Sequence, residues 1–228
     1  MSKVAVIKFP GTNCDEDVVQ ALRHFGVNAE IVWYKDFRVG EWEAVVIPGG
    51  FSYGDWLRAG AIAARTKPLE EIKEASDRGL PVLGICNGFQ ILVETGLLPG
   101  ALLPNESGKF VCRWVRVKAE NPKGPWLKLV EDGESLDMPV AHGEGRYYTD
   151  QSSYDILRET ESLLRYTKGF NPNGSLYDIA GVTSKRGQIL GLMPHPERAY
   201  IKRLTPRGFS PGGAKIFQSL KESLLNGW

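Results

Sequence analysis

The 228-residue sequence has few cysteines, almost no excess of charge and no long apolar run, and each of these absences excludes a class of protein. Three cysteines without a Cys-x-x-Cys pair fit neither a disulfide framework nor a zinc knuckle, so we expect free thiols in a reducing compartment. A formal net charge of +1 argues against an extended basic surface for nucleic acid or an anionic membrane. Without an apolar stretch of signal-peptide or membrane-spanning length, the chain is expected to be soluble and cytoplasmic.

The sequence does contain a regular alternation of short apolar strands and amphipathic helices in its first half. Strands are predicted at residues 3–8, 28–33, 43–47 and 81–85, and helices at 15–25, 56–64, 68–78 and 87–94. This rhythm favours an open, mostly parallel α/β sheet with helices on both faces. Apolar runs in the second half predict antiparallel additions at 110–118, 139–142, 163–167, 179–184 and 189–193, closed by a helix at 212–225. The length and the lack of a linker predict one domain, residues 1–228.

A short segment after the fourth predicted strand has the pattern of a nucleophile elbow. Cys86 lies between Gly84 and Gly88, after an apolar strand and before a helix, and a tight turn of this kind needs small flanking residues. The N terminus of the following helix favours a thiolate on Cys86 and points the backbone amide of Asn87 at an oxyanion above it. The pentapeptide alone fits a buried structural cysteine equally well.

The segment around His195 offers a base for this cysteine. His195 follows an apolar strand, two flanking prolines restrict its backbone, and Glu197 can orient the imidazole. Cys86, His195 and Glu197 are therefore candidates for nucleophile, base and orienting acid, with sulfur in the place of a serine oxygen. The alternative is a stiff surface loop whose histidine has only a structural role. The other thiols, Cys14 and Cys112, are predicted to be structural because neither has a basic partner in view.

Residues 84–90 together with 194–197 resemble the class I (triad) glutamine amidotransferases, and the resemblance extends over nearly the whole chain. Residues 9–15, 48–55 and 141–146 are similar to the branch of this class that serves purine biosynthesis. The resemblance implies a flavodoxin-like fold. It also implies that the Cys86 thiolate attacks the side-chain amide of glutamine, that His195 protonates the departing ammonia, and that water then hydrolyses the thioester.

The resemblance further implies where glutamine binds. The backbone amides of Gly50 and Asn87 are expected to hold the oxyanion, since only glycine-rich backbone approaches a substrate so closely. Glutamine itself is expected to contact Gln90, Phe51, Ser52, His142, Gly143, Glu144, Gly145 and Arg146. The alternative for Gln90 is an ordinary polar residue on the first turn of a helix. For residues 142–146 the alternative is a glycine-rich hairpin with solvated charges.

The sequence has no Gly-x-x-x-x-Gly-Lys-Ser/Thr phosphate loop, and the chain is too short to hold a ligase domain as well. The resemblance therefore implies a separate synthetase subunit, which uses ATP and Mg²⁺ to convert formylglycinamide ribonucleotide into the amidine, and a small bridging subunit. This chain itself is expected to hold no cofactor and no metal.

Three alternatives remain open at this point. The first is an acceptor of the anthranilate or guanylate kind. The second is a cysteine peptidase or deglycase of the same superfamily, in which a histidine usually follows the cysteine directly, whereas Asn87 follows it here. The third is a non-catalytic scaffold that retains the fold.

Overall fold

A computed structural model describes residues 3–184 and 186–228, in which one large sheet is covered by helices. Its strands are β1 (Lys3–Lys8), β2 (Asn28–Trp33), β3 (Ala44–Ile47), β4 (Val82–Ile85), β5 (Ala101–Pro104), β6 (Val111–Glu120), β7 (Ser135–His142), β8 (Glu144–Tyr148), β9 (Leu163–Tyr166), β10 (Ile179–Thr183) and β11 (Ile189–Leu192). Its α-helices are α1 (Asp15–His24), α2 (Lys67–Asp77), α3 (Asn87–Glu94), α4 (Gln151–Thr160) and α5 (Ala214–Asn226).

The nine-stranded sheet has the order β2-β1-β3-β4-β11-β10-β9-β6-β7, and its two halves are built differently. From β2 to β11 each neighbouring pair is parallel, and from β11 to β7 each pair is antiparallel. Seven of the nine strands consequently run in one direction. The predicted fold class, an open α/β sheet with antiparallel additions, is confirmed. Strands β5 and β8 form a separate two-stranded ribbon.

The core lies along the parallel half of the sheet. Strands β3 and β4 are buried at each of their four positions, and β1 is buried at its four central positions. These strands read as continuous apolar runs because helices cover both of their faces. None of the helices in the two described ranges is long and apolar enough to span a bilayer.

The helix predicted at residues 56–64 is wrong. This part of the chain is a loop between two short 3₁₀ turns, Ser52–Asp55 and Ala63–Arg65. Asp55 and Leu57 have φ of 54° and 70°, which a right-handed helix excludes. Gly60 approaches α3 so closely that a Cβ on it would lie 2.8 Å from the backbone nitrogen of Ile91. Contact with α3 therefore overrides the helical propensity of this alanine-rich segment.

Candidate active site

The carboxyl ends of β4 and β11 meet at one edge of the sheet and carry the predicted nucleophile and base. Ile85 and Leu192 are register partners, and the Cys86 N–H donates to the Leu192 carbonyl at 2.8 Å. Cys86 follows β4 directly, and His195 lies three residues beyond the end of β11. Parallel pairing of these two strands therefore brings together residues that are far apart in the sequence.

Cys86 occupies a strained turn between β4 and α3. Its φ of 51° and ψ of −106° lie outside the regions that residues with a side chain favour. A Cβ on Gly84 would lie 2.7 Å from the carbonyl oxygen of Gly88, and a Cβ on Gly88 would collide with the carbonyl oxygen of Ile47. The flanking glycines are thus required by close backbone packing, as a strand–nucleophile–helix turn demands.

His195 and Glu197 form a buried pair beside Cys86. The Nδ1 atom of His195 lies 2.6 Å from Oε1 of Glu197, and the two residues are 2% and 1% exposed. Burial opposes the charged imidazole, but the Glu197 carboxylate and the sulfurs of Cys86 and Cys14 outweigh it and raise the pKa of His195 well above 6.5. The Nε2 atom of His195 has no hydrogen-bond partner among the described residues, so it is the ring atom left for proton transfer.

Gly49 leaves the space in which these side chains converge. A Cβ on this residue would lie 2.8 Å from Cε1 of His195, 3.1 Å from Sγ of Cys14 and 3.5 Å from Cβ of Cys86. The prediction that Cys14 lacks a basic partner is wrong, because Nη2 of Arg198 donates to its sulfur at 3.1 Å. These two residues are separated by 184 positions, and no sequence pattern connects them.

The predicted oxyanion donors, the backbone N–H groups of Gly50 and Asn87, are free of backbone hydrogen bonds among the described residues. In the part of the chain that the structure describes, the N–H of Gly50 has no hydrogen-bond acceptor. Asn87 is the first residue of α3, so its N–H has no acceptor within the helix. Gly50 has a φ of 148°, and a Cβ there would lie 2.8 Å from the backbone nitrogen of Asn13. Only glycine allows this turn to pass so close to the backbone of residues 11–13.

Two adjoining cavities open at Cys86, and they share five wall residues, namely Gly50, Phe51, Cys86, Phe110 and Ala141. The cavity of about 170 Å³ is completed by Asn13, Cys14, His195 and Arg198. The cavity of about 120 Å³ is completed by Asp55, Gln90, His142, Gly143 and Glu144. The structure therefore brings most of the predicted glutamine-binding residues to the nucleophile. Ser52, Gly145 and Arg146 lie outside these walls.

A line of hydrogen bonds fixes the wall formed by Gln90. The Ser52 N–H donates to Oδ1 of Asn87 at 3.1 Å, and Nδ2 of Asn87 donates to Oε1 of Gln90 at 2.9 Å. The side-chain amide of Gln90 in turn donates to the carbonyl oxygen of Glu144. Both ends of the Gln90 amide are thus bonded within the protein, which holds the turn after β7 against α3.

Two carboxylates face the smaller cavity. Oδ1 of Asp55 is buried without a hydrogen-bond partner among the described residues, and the Glu144 carboxylate accepts from the N–H of Ala59 at 3.4 Å. Burial, and then the negative charge of Glu144, raise the pKa of Asp55 to about 6. A pair of close carboxylates favours a cationic ligand. Glu144 was predicted from the sequence, whereas Asp55 was not, although Asp55 ends the glycine-rich segment at 48–55.

His142 forms part of the wall of this cavity and lies in a buried hydrogen-bond network. Its Nδ1 is 3.0 Å from Oδ1 of Asn105, and its Nε2 is 3.4 Å from Nδ2 of Asn173, which assigns the proton to Nδ1. Nδ2 of Asn173 also donates to the Gly145 carbonyl at 2.8 Å. Burial, with the charge of His195, lowers the pKa of His142 to about 4. A neutral His142 therefore holds the β7–β8 turn. Sequence reasoning missed both asparagines, which belong to no motif.

The chain is similar to known proteins over nearly its full length. The family model of the CobB/CobQ-like glutamine amidotransferase domain matches residues 1–220. The phosphoribosylformylglycinamidine synthase subunit PurQ of Pyrococcus horikoshii is 52% identical over 224 residues, which cover 97% of this chain and 98% of that protein. The subunit of the same name from Pyrobaculum aerophilum is 51% identical over 218 residues, with coverage of 96% and 97%.

Solved structures agree with these matches. A chain in the structure of PurLQS from Thermotoga maritima is 44% identical, covers 98% of this chain over 99% of its own length, and has a TM-score of 0.85. A glutamine amidotransferase from Thermotoga maritima is 18% identical, with coverage of 98% and 92% and a TM-score of 0.54, and shares the fold alone.

Proposed function

The chain belongs to the family of CobB/CobQ-like glutamine amidotransferase domains, and from that premise we propose that it is the glutaminase subunit of phosphoribosylformylglycinamidine synthase. In this role it hydrolyses L-glutamine to glutamate and ammonia, and the ammonia is used to convert formylglycinamide ribonucleotide into formylglycinamidine ribonucleotide. The observation that carries the proposal is the strained Cys86 turn beside the buried His195–Glu197 pair. The relatives do not favour another acceptor, a peptidase or deglycase, or a scaffold.

The first half of the reaction forms a thioester. Sγ of Cys86 attacks the carbonyl carbon of the glutamine side-chain amide, and a tetrahedral oxyanion forms. The N–H groups of Gly50 and Asn87 stabilise this oxyanion, and each such donor is commonly worth about a hundred- to a thousandfold in rate. The carbon–nitrogen bond then breaks as His195 donates its proton to the leaving nitrogen. The raised pKa of His195 supports this step because it keeps the imidazole protonated.

The second half releases glutamate. His195, now neutral, accepts a proton from water, and the resulting hydroxide attacks the γ-glutamyl thioester. The carbon–sulfur bond breaks, glutamate leaves, and the proton on His195 balances the thiolate on Cys86. Glu197 supports both halves because its carboxylate, 2.6 Å from Nδ1, holds the imidazole in one orientation and stabilises its charge.

Glutamine occupies the smaller cavity with its side-chain amide at Cys86. Its α-ammonium group is held by the carboxylates of Asp55 and Glu144, the two anionic side chains of that cavity. Gln90 and Gly143 supply walls, whereas Ser52 acts from behind through its hydrogen bond to Asn87. Gly145 and Arg146 act through the β8 backbone that places Glu144.

The synthetase subunit docks at the mouth of these cavities, and a small bridging subunit completes the complex. Trp56 and Leu57 are 72% and 89% exposed, in the same segment as Phe51 and Asp55, which line the smaller cavity. An exposed apolar surface at this place suits a partner that must receive ammonia without losing it to water. ATP and Mg²⁺ are bound by the synthetase, and this chain acts as one domain in the cytoplasm.

Glutamate release by the purified chain, alone and with the synthetase, ATP and formylglycinamide ribonucleotide, tests this proposal. Cys86→Ala and His195→Ala should each lower turnover by at least about a thousandfold, since both act as one unit. Cys112→Ala, which removes an exposed thiol, is the control and should retain activity. Full activity in Cys86→Ala would sink the mechanism. If amidated product formed only with an anthranilate or guanylate synthetase, the proposed acceptor would be wrong.

A further inference from the structure

We propose that Cys14 is a resolving thiol for Cys86, so that a peroxide converts the two into a reversible intramolecular disulfide. Glutamine hydrolysis as described above makes no use of Cys14. This residue is nevertheless buried within the site, next to the groups that activate Cys86. The chemistry of the pair does not depend on the proposed glutaminase activity, although one of the two readouts below does.

The two thiols border the same cavity, which has a volume of about 170 Å³. Gly49 lies beside both of them and has no side chain to separate them. A Cβ on Gly49 would lie 3.1 Å from Sγ of Cys14 and 3.5 Å from Cβ of Cys86. Since one water molecule takes about 30 Å³, the cavity has room for a hydrogen peroxide molecule.

Positive charge surrounds both sulfurs. Nη2 of Arg198 donates to Sγ of Cys14 at 3.1 Å, and Nε of Arg198 lies 3.7 Å from a carboxylate oxygen of Asp17, which holds the guanidinium in place. The sulfurs of Cys14 and Cys86 both favour the protonated form of His195, so each lies within its field. Arg198 and the imidazolium of His195 are therefore the cationic groups next to this pair of thiols.

The position of Cys14 is fixed by the fold. Its N–H donates to the carbonyl of Gly49 at 3.2 Å, which ties the N terminus of α1 to the turn after β3. Its carbonyl accepts from the N–H of Val18 at 3.2 Å, in the first turn of the helix. Cys112 differs in both respects, because it is exposed on β6 and lines neither cavity. Among the described thiols, Cys14 is the one that lines this cavity together with Cys86.

The reaction balances with hydrogen peroxide as the oxidant. The Cys86 thiolate attacks one peroxide oxygen, the oxygen–oxygen bond breaks, and the departing hydroxide takes the proton of His195 and leaves as water. Cys86 is then a sulfenic acid. The sulfur of Cys14 attacks the sulfur of Cys86, the sulfur–oxygen bond breaks, and a second water leaves with the Cys14 proton. Two thiols are oxidised to one disulfide and the peroxide is reduced to two waters. Capture at this stage prevents irreversible oxidation to the sulfinic acid.

Peptide mapping after peroxide treatment of the reduced full-length chain tests the pair directly. Wild type and Cys112→Ser should both yield a cross-linked peptide that joins Cys14 to Cys86, and dithiothreitol should remove it. In Cys14→Ser and Cys14→Ala, Cys86 should instead gain two oxygen atoms. A wild-type chain in which Cys86 is oxygenated without a cross-link, or is cross-linked to Cys112, would overturn the proposal.

Glutaminase activity gives the second readout. Dithiothreitol should restore at least about tenfold more of the initial activity to oxidised wild type than to oxidised Cys14→Ser, because a sulfinic acid is not reduced by thiols. Equal recovery in the two proteins would contradict the role of Cys14. A cross-link in a chain without glutaminase activity would support the thiol pair and reject the proposed function. An active enzyme without the cross-link would support the proposed function and reject the thiol pair.

Discussion

The two sides of the site are held together by different forces. On the nucleophile side, Cys86 follows a parallel strand, and close backbone contacts at Gly84 and Gly88 set its conformation. On the binding side, the β7–β8 turn is held by buried side-chain hydrogen bonds from Asn105 and Asn173 to His142 and the nearby backbone. The nucleophile side requires glycines, because a Cβ at Gly84 or Gly88 would clash with nearby atoms. The binding side requires buried polar side chains that are all hydrogen-bonded. They should therefore fail in different ways.

Gly88→Ala should break the nucleophile side and have the largest effect. Its new Cβ would collide with the carbonyl oxygen of Ile47, and neither backbone can give way without moving β3 or α3. We expect the free energy of unfolding, measured by chemical denaturation, to fall by more than about 3 kcal/mol. Gly40→Ala is the matched control, because a Cβ there meets nothing within 4 Å. Equal stability of the two variants would show that close packing does not set the elbow.

Acid should weaken the binding side through His142. The unfolded chain takes up a proton on this residue near pH 6.5, whereas the folded chain resists it until about pH 4. The stabilisation is therefore complete above pH 6.5 and is lost as the pH falls towards 4, by about 3 kcal/mol in total. Denaturation of wild type and His142→Gln across this range checks the sign, since the other titrating groups are common to both. His24→Gln, on the exposed surface, should retain the wild-type dependence. If the free energy of unfolding of His142→Gln fell by the same amount over this pH range, the pH dependence could not be assigned to His142.

Asp55→Asn should have the smallest effect and sharpen the role of the binding side. The variant removes one of two carboxylates from the smaller cavity, so the KM for glutamine should rise about tenfold with kcat nearly unchanged, as for the loss of one ionic contact. In wild type the same KM should rise as the pH falls through about 6, where Asp55 takes up a proton. Asp36→Asn, an exposed carboxylate outside both cavities, is the control. An unchanged KM in Asp55→Asn would show that the α-ammonium group of glutamine binds elsewhere.

The nucleophile side was predictable from the sequence because its determinants are local. The helix at residues 87–94 was predicted with the bounds that α3 has, and the glycines around Cys86 indicated the tight turn. His195 and Glu197 are only two residues apart, and the structure brings His195 to Cys86 with Glu197 paired to its imidazole. Their catalytic roles stay predictions that the assays of glutamate release address.

The parts of the fold and of the site that were not predicted depend on contacts that no local sequence pattern indicates. Helix α4 was not predicted, because it buries only Tyr154 and Leu157 and owes its start to the Asp150 carboxylate, which accepts from the N–H of Ser153 at 2.9 Å. Strands β5 and β8 were missed because they pair only with each other. Asn105 and Asn173 act on a histidine that is 37 and 31 residues away, so their importance emerges only when the chain has folded.

The pairing of β4 with β11 also determines when the protein first becomes an enzyme. During synthesis the nucleophile emerges from the ribosome more than a hundred residues ahead of its base, and contacts so distant in sequence form late in folding. A nascent or truncated chain therefore carries a cysteine that has no imidazole to activate it. Ammonia production begins only after nearly the whole sheet has assembled, so incomplete copies of the chain waste no glutamine.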